Sequence, residues 1–152
     1  HIAKKYDFDL SMIHAAGHIN MRMPHYMYIK IATALNYHNK AVNGSKVLFI
    51  GVAYKPNIND ERESPALEIM DIVAYKGAEV SYHDPYIQTV KTTEGRIFSS
   101  CDLSSEILMQ VDCVVLTTNH RGLDKDLIKD NSMMIVDLTN MFEEDNGRIV
   151  KL

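Results

Sequence analysis

The stretch KVLFIGVAYKPNINDERESPALEIMDIVAYKGAEVSYHDPY, Lys46 to Tyr86, decides the fold. It opens on KVLFIGVA (46–53), a short bounded run suited to a strand buried on both faces. Ser64 followed by Pro65 reads as an N-cap with proline at the first helical position. That helix is predicted to run to about Lys76, with Ala66, Ile69, Met70 and Val73 on one face and Glu68 and Asp71 on the other. Gly77 ends it, and AEVSYHD is the next strand. Strand, loop, helix and strand at this spacing make a unit with parallel strands.

The same alternation continues outward. CVVLTTN (113–119) and MMIVDLTN (133–140) read as two more buried strands, with weaker helices before them around 104–110 and 123–129. RIVKL (148–152) reads as a last edge strand. Upstream, from about Asp9 to Asn39, Met12, Ala16, Ile19, Met23, Met27, Ile31, Ala34 and Leu35 recur at helical spacing. Pro24 starts a second helix or kinks a long one, Asn43-Gly44 reads as the stop, and Tyr6, Phe8 and Tyr26 are candidates to join the packing. The expectation is an α/β fold: a Rossmann-like parallel sheet of about five strands with helices on both faces, preceded by a long or kinked helix. The division expected is a helical segment over 1–43 and an α/β domain over 44–152.

Bulk composition narrows the function. The 152 residues suit one globular domain, and 46% hydrophobic with 24% charged residues is the balance of a folded protein. A net charge of -4 with both signs interspersed gives no footprint for nucleic acid or an anionic membrane. No apolar run has the length of a membrane span. The cysteines Cys101 and Cys113 fit no metal or redox spacing, which favours a reducing, cytoplasmic setting. The chain starts on His1, which reads as a piece of something longer.

In an open parallel sheet, ligands bind beyond the carboxyl ends of the strands. GVAYKPNINDERES, HDPY, TTNHRG and DLTN are the four segments expected to converge there. A dinucleotide turn needs small residues so that pyrophosphate can touch backbone. Here only Gly51 and Ala53 are small, and Tyr54 and Lys55 add bulk and charge. Lys55 and Arg62 are candidates to meet phosphate as point charge and fork, and Tyr54 to pack on a base or sugar. Asp60, Glu61 and Glu63 either orient those cations or cap the helix start. The competing reading leaves Arg62 in a surface ion pair and Lys55 solvated.

Other candidates are weaker. His14 and His18 have the helical spacing of zinc ligands, but no third ligand follows. His120 sits either within reach of a ligand or in a loop role. Asp84 stands where a dinucleotide fold puts its ribose-binding acid, but Pro85 after it favours turn chemistry. Cys113, in a buried strand, reads as a small hydrophobe.

GVAYKPNINDERESPALEIM followed by GAEVSYHDPY resembles the C-terminal nucleotide-binding domain of the UDP-glucose/GDP-mannose dehydrogenases, in its strand–GxAxK–loop–RES(S/P) pattern and downstream DP. SPALEI and YHDPY lean toward the branch acting on UDP-N-acetylhexosamines. AAGHINMRMPHYMYIKI is similar to that family's central helix, with an Asn-x-x-Met-Pro element at Asn20, Met23 and Pro24, and DCVVLTTNH and IVDLTNMF to its later strands.

The resemblance implies an NAD-dependent 6-dehydrogenase that turns the C6 alcohol of a UDP-sugar into a carboxylate by two hydride transfers, giving a UDP-uronic acid for polysaccharide synthesis. It implies that the nucleophilic cysteine and the N-terminal NAD domain precede His1, so this chain carries no catalytic or cofactor-binding residue. By the match, Lys55 is the lysine that reaches the nucleotide sugar, Tyr54 stands beside it, and Arg62 either touches ligand or braces the loop. The family's Asp-x-Arg-Asn has Thr139 in place of its arginine here. The resemblance also implies a homodimer through the first helix. A stand-alone nucleotide-binding or regulatory module is the alternative, and a small complete NAD enzyme, weakened by the missing glycines, is a third.

Overall fold

A computed structural model describes residues 11–152; Tyr6, Phe8 and the expected helix start at Asp9 lie outside the described residues. Five parallel strands form the sheet, in the order β2-β1-β5-β6-β7. They are β1 (Lys46–Ile50), β2 (Glu79–His83), β5 (Cys113–Leu116), β6 (Ile135–Asp137) and β7 (Ile149–Lys151). The helices are α1 (Ser11–Tyr37), α2 (Pro65–Tyr75), α3 (Ser105–Gln110) and α4 (Lys125–Asn131). The fold is the expected α/β architecture.

Period-two alternation sorts the strand residues between two cores. Val47, Phe49, Cys113, Val115 and Val136 face α1 and α2, where Ile31, Leu35, Ile69, Met70 and Val73 are fully covered. Leu48, Ile50, Val114, Leu116 and Ile135 face the other way, onto Leu108 of α3 and Ile128 of α4. Strands covered on both faces read as continuous apolar runs, which is why KVLFI and CVVL stand out in the sequence. Burial pushes the Cys113 thiol well above its ordinary range, so it packs as an apolar group.

The α2 termini follow from local chemistry. The Ser64 side chain accepts the Ala66 N–H, Pro65 opens the helix, and Gly77 follows the C-cap Lys76 at φ +92°.

α1 is the long helix expected before the sheet, continuing through Pro24; it departs from expectation in ending at Tyr37, before Asn43-Gly44. Asn39, in the left-handed region at φ 57°, makes the turn, and the Lys40 N–H closes on the Leu35 carbonyl. The apolar stripe of α1 divides: Ile31, Ala34 and Leu35 join the domain core, while Met12 and Ile19 stand 85% and 62% exposed.

An antiparallel hairpin, β3 (Thr89–Lys91) with β4 (Ile97–Ser99), was not foreseen. It covers Asp71, which is therefore buried rather than on a solvent face. Asp71 accepts from the Thr92 and Thr93 hydroxyls, the Glu94 N–H and Arg96 Nη1, at 2.7–2.9 Å. Burial pushes its carboxyl up, but these donors outweigh burial and hold it below the ordinary value. The chain after β4 also covers the outer edge of β2, where the Cys101 N–H donates to the Tyr82 carbonyl.

Candidate functional site

The strand order reverses between β1 and β5, so the loops after these two strands mark the switch point. They are in contact. Gly51, at φ +84°, lies so close to Thr118 that a Cβ would enter its backbone. The Thr117 hydroxyl donates to the Gly51 carbonyl, and Thr118 Oγ1 donates to the Ala53 carbonyl at 2.6 Å.

Beneath them lies Asp84, at the end of β2 and 1% exposed. Its Oδ2 accepts from the N–H groups of Val52 (2.7 Å) and Ala53 (3.2 Å) and from His120 Nε2 (3.0 Å). Its Oδ1 accepts from the N–H groups of Tyr86 (2.9 Å) and Ile87 (3.2 Å). A carboxylate offers about four lone-pair sites, so it is saturated. The amides after β1, which in a dinucleotide turn would face phosphate, face this resident anion instead. The acid that would take a ribose hydroxyl has no capacity left. The switch point of this chain does not fit NAD.

His120, 2% exposed, takes the loop role of its two expected ones. Its Nδ1 accepts the Asn57 N–H at 2.9 Å, which puts the hydrogen on Nε2, toward Asp84. Asn57 Oδ1 in turn accepts the Arg121 N–H at 2.7 Å. Asn57 itself is left-handed, at φ 64°.

Three of the four expected segments are therefore knit together. The fourth, DLTN, is bonded within itself: Asp137 accepts from the Thr139 N–H and hydroxyl and from the Phe142 N–H, at 2.8–2.9 Å. Thr139 closes this turn through its N–H and its hydroxyl.

The outer part of the β1 loop is different. The Tyr54 N–H meets the Asp60 carbonyl at 2.8 Å, which closes a small loop. Tyr54 is 49% exposed, with Lys55 Nζ 5.3 Å from its ring centroid. Lys55 makes no ion pair among the described residues. Arg62 forms a two-pronged pair with Asp60, Nε to Oδ1 and Nη2 to Oδ2, each 2.8 Å. The Arg62 guanidinium holds the Asp60 carboxyl down to about 2. Glu63 is left-handed at φ 61°, a strained place for a residue with a side chain.

Between this rim and α1 lies a cleft of about 590 Å³, lined by Asn20, Met21, Met23, Met27, Tyr54, Glu63 and Pro65. Among the described residues its lining holds no cation, so a phosphate-bearing ligand would have to find positive charge on the Lys55 side. Among the described residues, no group of three or more metal-ligating side chains stands together, and no helix is long and apolar enough to cross a membrane.

Residues 48–144, from β1 through Asp84, His120 and Asp137, match the profile of the UDP-binding domain of the UDP-glucose/GDP-mannose dehydrogenase family. The chain belongs to that family. A UDP-N-acetyl-D-mannosamine dehydrogenase of Methanococcus vannielii is 31% identical over 71% of this chain and 23% of its own length. A UDP-glucose 6-dehydrogenase of Rickettsia bellii is 28% identical over 95% of this chain and 34% of its own. Among solved structures, the UDP-D-ManNAc dehydrogenase of Pyrococcus horikoshii superposes with a TM-score of 0.78 at 24% identity, over 98% of this chain and 34% of that one. The chain thus spans about a quarter to a third of the relatives it matches. In this chain a saturated carboxylate, Asp84, occupies the place where a dinucleotide turn would face phosphate.

Two of these features escaped sequence reasoning. The DP element signalled a turn, which the Tyr86 and Ile87 amides make, but not the reach of Asp84 across to β1. Nothing in NIND marks Asn57 as a bridge, because that role depends on a loop brought up by the sheet.

Proposed function

We propose that this chain is the nucleotide-sugar-binding part of an NAD-dependent UDP-sugar 6-dehydrogenase, whose product, a UDP-uronic acid, feeds polysaccharide synthesis in the cytoplasm. The observation that carries the reading is Lys55: a cation with no ion pair among the described residues, on the exposed rim of a loop whose base is saturated, inside the segment matching a UDP-binding domain. Lys55 supplies a mobile positive charge to the diphosphate or sugar, and Tyr54 an aromatic face beside it. Arg62 braces the loop through Asp60 and stands at the same rim to reach ligand. NAD and the nucleophilic cysteine belong to parts of the protein outside this chain. The exposed half of α1, around Met12 and Ile19, packs on a second copy as a homodimer.

Calorimetry with UDP tests this. The wild-type chain is expected to bind UDP weakly, because one wall of a cleft lacks preorganisation, and Lys55→Ala to weaken it by about 1–3 kcal/mol. Equal affinities remove Lys55 from the site. The chain alone is expected not to reduce NAD with any UDP-sugar; turnover above a mock purification contradicts that. Ile19→Glu is expected to give monomers by light scattering, and a wild type that is monomeric at high concentration rules out the interface.

A further inference from the structure

The β1 loop is held from below at two levels. At its base, Asp84 takes the Val52 and Ala53 amides. Further out, the loop after β5 grips it through Asn57, by His120 Nδ1 on its backbone N–H and by the Arg121 N–H on its side chain, while the Tyr54 N–H closes on the Asp60 carbonyl within the loop itself. His120 is itself held by Asp84 through Nε2, in the tautomer that leaves Nδ1 free to accept. One carboxylate therefore fixes both the start of the loop and the residue two places beyond Lys55. Tyr54 and Lys55 lie between those two anchors, with Tyr54 half exposed at the cleft edge and Lys55 Nζ 5.3 Å from the Tyr54 ring centroid.

We propose that Asp84, His120 and Asn57 form a positioning relay that sets where Tyr54 and Lys55 stand for a nucleoside diphosphate ligand. The proposal rests on the nucleotide-sugar reading above and assigns it three residues that touch no ligand. Its physical content is preorganisation. A loop already fixed at Ala53 and Asn57 loses little freedom when a diphosphate arrives, whereas one freed at Asn57 must be ordered by the ligand. Asn57 suits the post because asparagine tolerates the left-handed backbone there, at φ 64°. The imidazole suits His120 because it accepts on one side and donates on the other, and a glutamine amide offers the same pair of functions.

The test uses the full chain with UDP as probe. His120→Ala is expected to bind UDP about tenfold more weakly, the factor that follows from ordering a freed loop element. His120→Gln is expected to recover most of that affinity. In a double-mutant cycle, Lys55→Ala should cost less in the His120→Ala background than alone, because a lysine out of place has less to lose. Hydrogen exchange of the Asn57 amide should accelerate in His120→Ala while the β1 amides stay protected. A His120→Ala chain that binds UDP like wild type while Lys55→Ala still weakens it overturns the relay and leaves the nucleotide reading intact. Full additivity in the cycle also overturns it. If wild type binds no UDP, the nucleotide reading fails, and unchanged exchange at Asn57 then overturns the relay by itself. Should His120→Ala not fold, Asn57→Gly, which keeps the backbone conformation and loses only the Arg121 link, is expected to weaken UDP in the same direction; unchanged affinity there overturns the relay.

Discussion

The base and the rim of the β1 loop share a few residues of chain and obey opposite rules. At the base, Asp84 and His120 are each no more than 2% exposed and every polar atom has a partner. At the rim, Tyr54 is half exposed, Lys55 has no ion pair among the described residues, and the Asp60–Arg62 pair lies toward solvent. The difference shows how one architecture changes ligands. A dinucleotide fold leaves its strand-end amides open for phosphate; here the protein's own carboxylate takes them, and the proposed nucleotide site lies outward, on side chains.

The comparison breaks most sharply at Asp84. Asp84→Ala leaves its donors unmet in a buried place and is expected to destabilise the fold by about 3 kcal/mol or more, read from urea denaturation. A loss under about 1 kcal/mol would mean the base is not saturated as described. Asp71, the other buried carboxylate, sharpens the point away from the site. Asp71→Ala is expected to cost about 2 kcal/mol through the hairpin, with UDP affinity unchanged. Its carboxyl lies below the ordinary 3.8 in the folded chain. The clamp's contribution is therefore complete above that value and is lost as pH falls through the folded value. Stability that is flat through that acid range contradicts the clamp. The smallest effect belongs to the rim: Arg62→Ala should leave the urea denaturation midpoint essentially unchanged, since an exposed pair is screened by solvent.

The sequence carried the fold because its signals were local. KVLFI and CVVL are buried on both faces and read as such, and Ser64-Pro65 and Gly77 bracket α2 by chemistry that needs no partner. The hairpin escaped because strands of three residues have no period to read, and with it went the burial of Asp71. Along α1, helical spacing marks one stripe but not the point at which the sheet ends; Ile31 and Leu35 reach the sheet and Ile19 does not. At the site, Lys55, Tyr54 and Arg62 were named from residue type and from the family pattern. The network under them was not legible, since Asp84, Asn57 and His120 lie 27 to 63 residues apart and meet only through the parallel sheet.

The central claim is that this chain meets nucleotide at the rim of the β1 loop and not at the amides beneath it. Amide chemical-shift mapping on the isotope-labelled chain, with UDP and NAD titrated in parallel, tests that directly. UDP is expected to shift the resonances around Tyr54, Lys55 and Arg62 and leave Val52 and Ala53 on Asp84, and NAD to shift neither set. Saturable movement of the Val52 and Ala53 amides by NAD would contradict the account, because it would mean that a dinucleotide displaces the resident carboxylate.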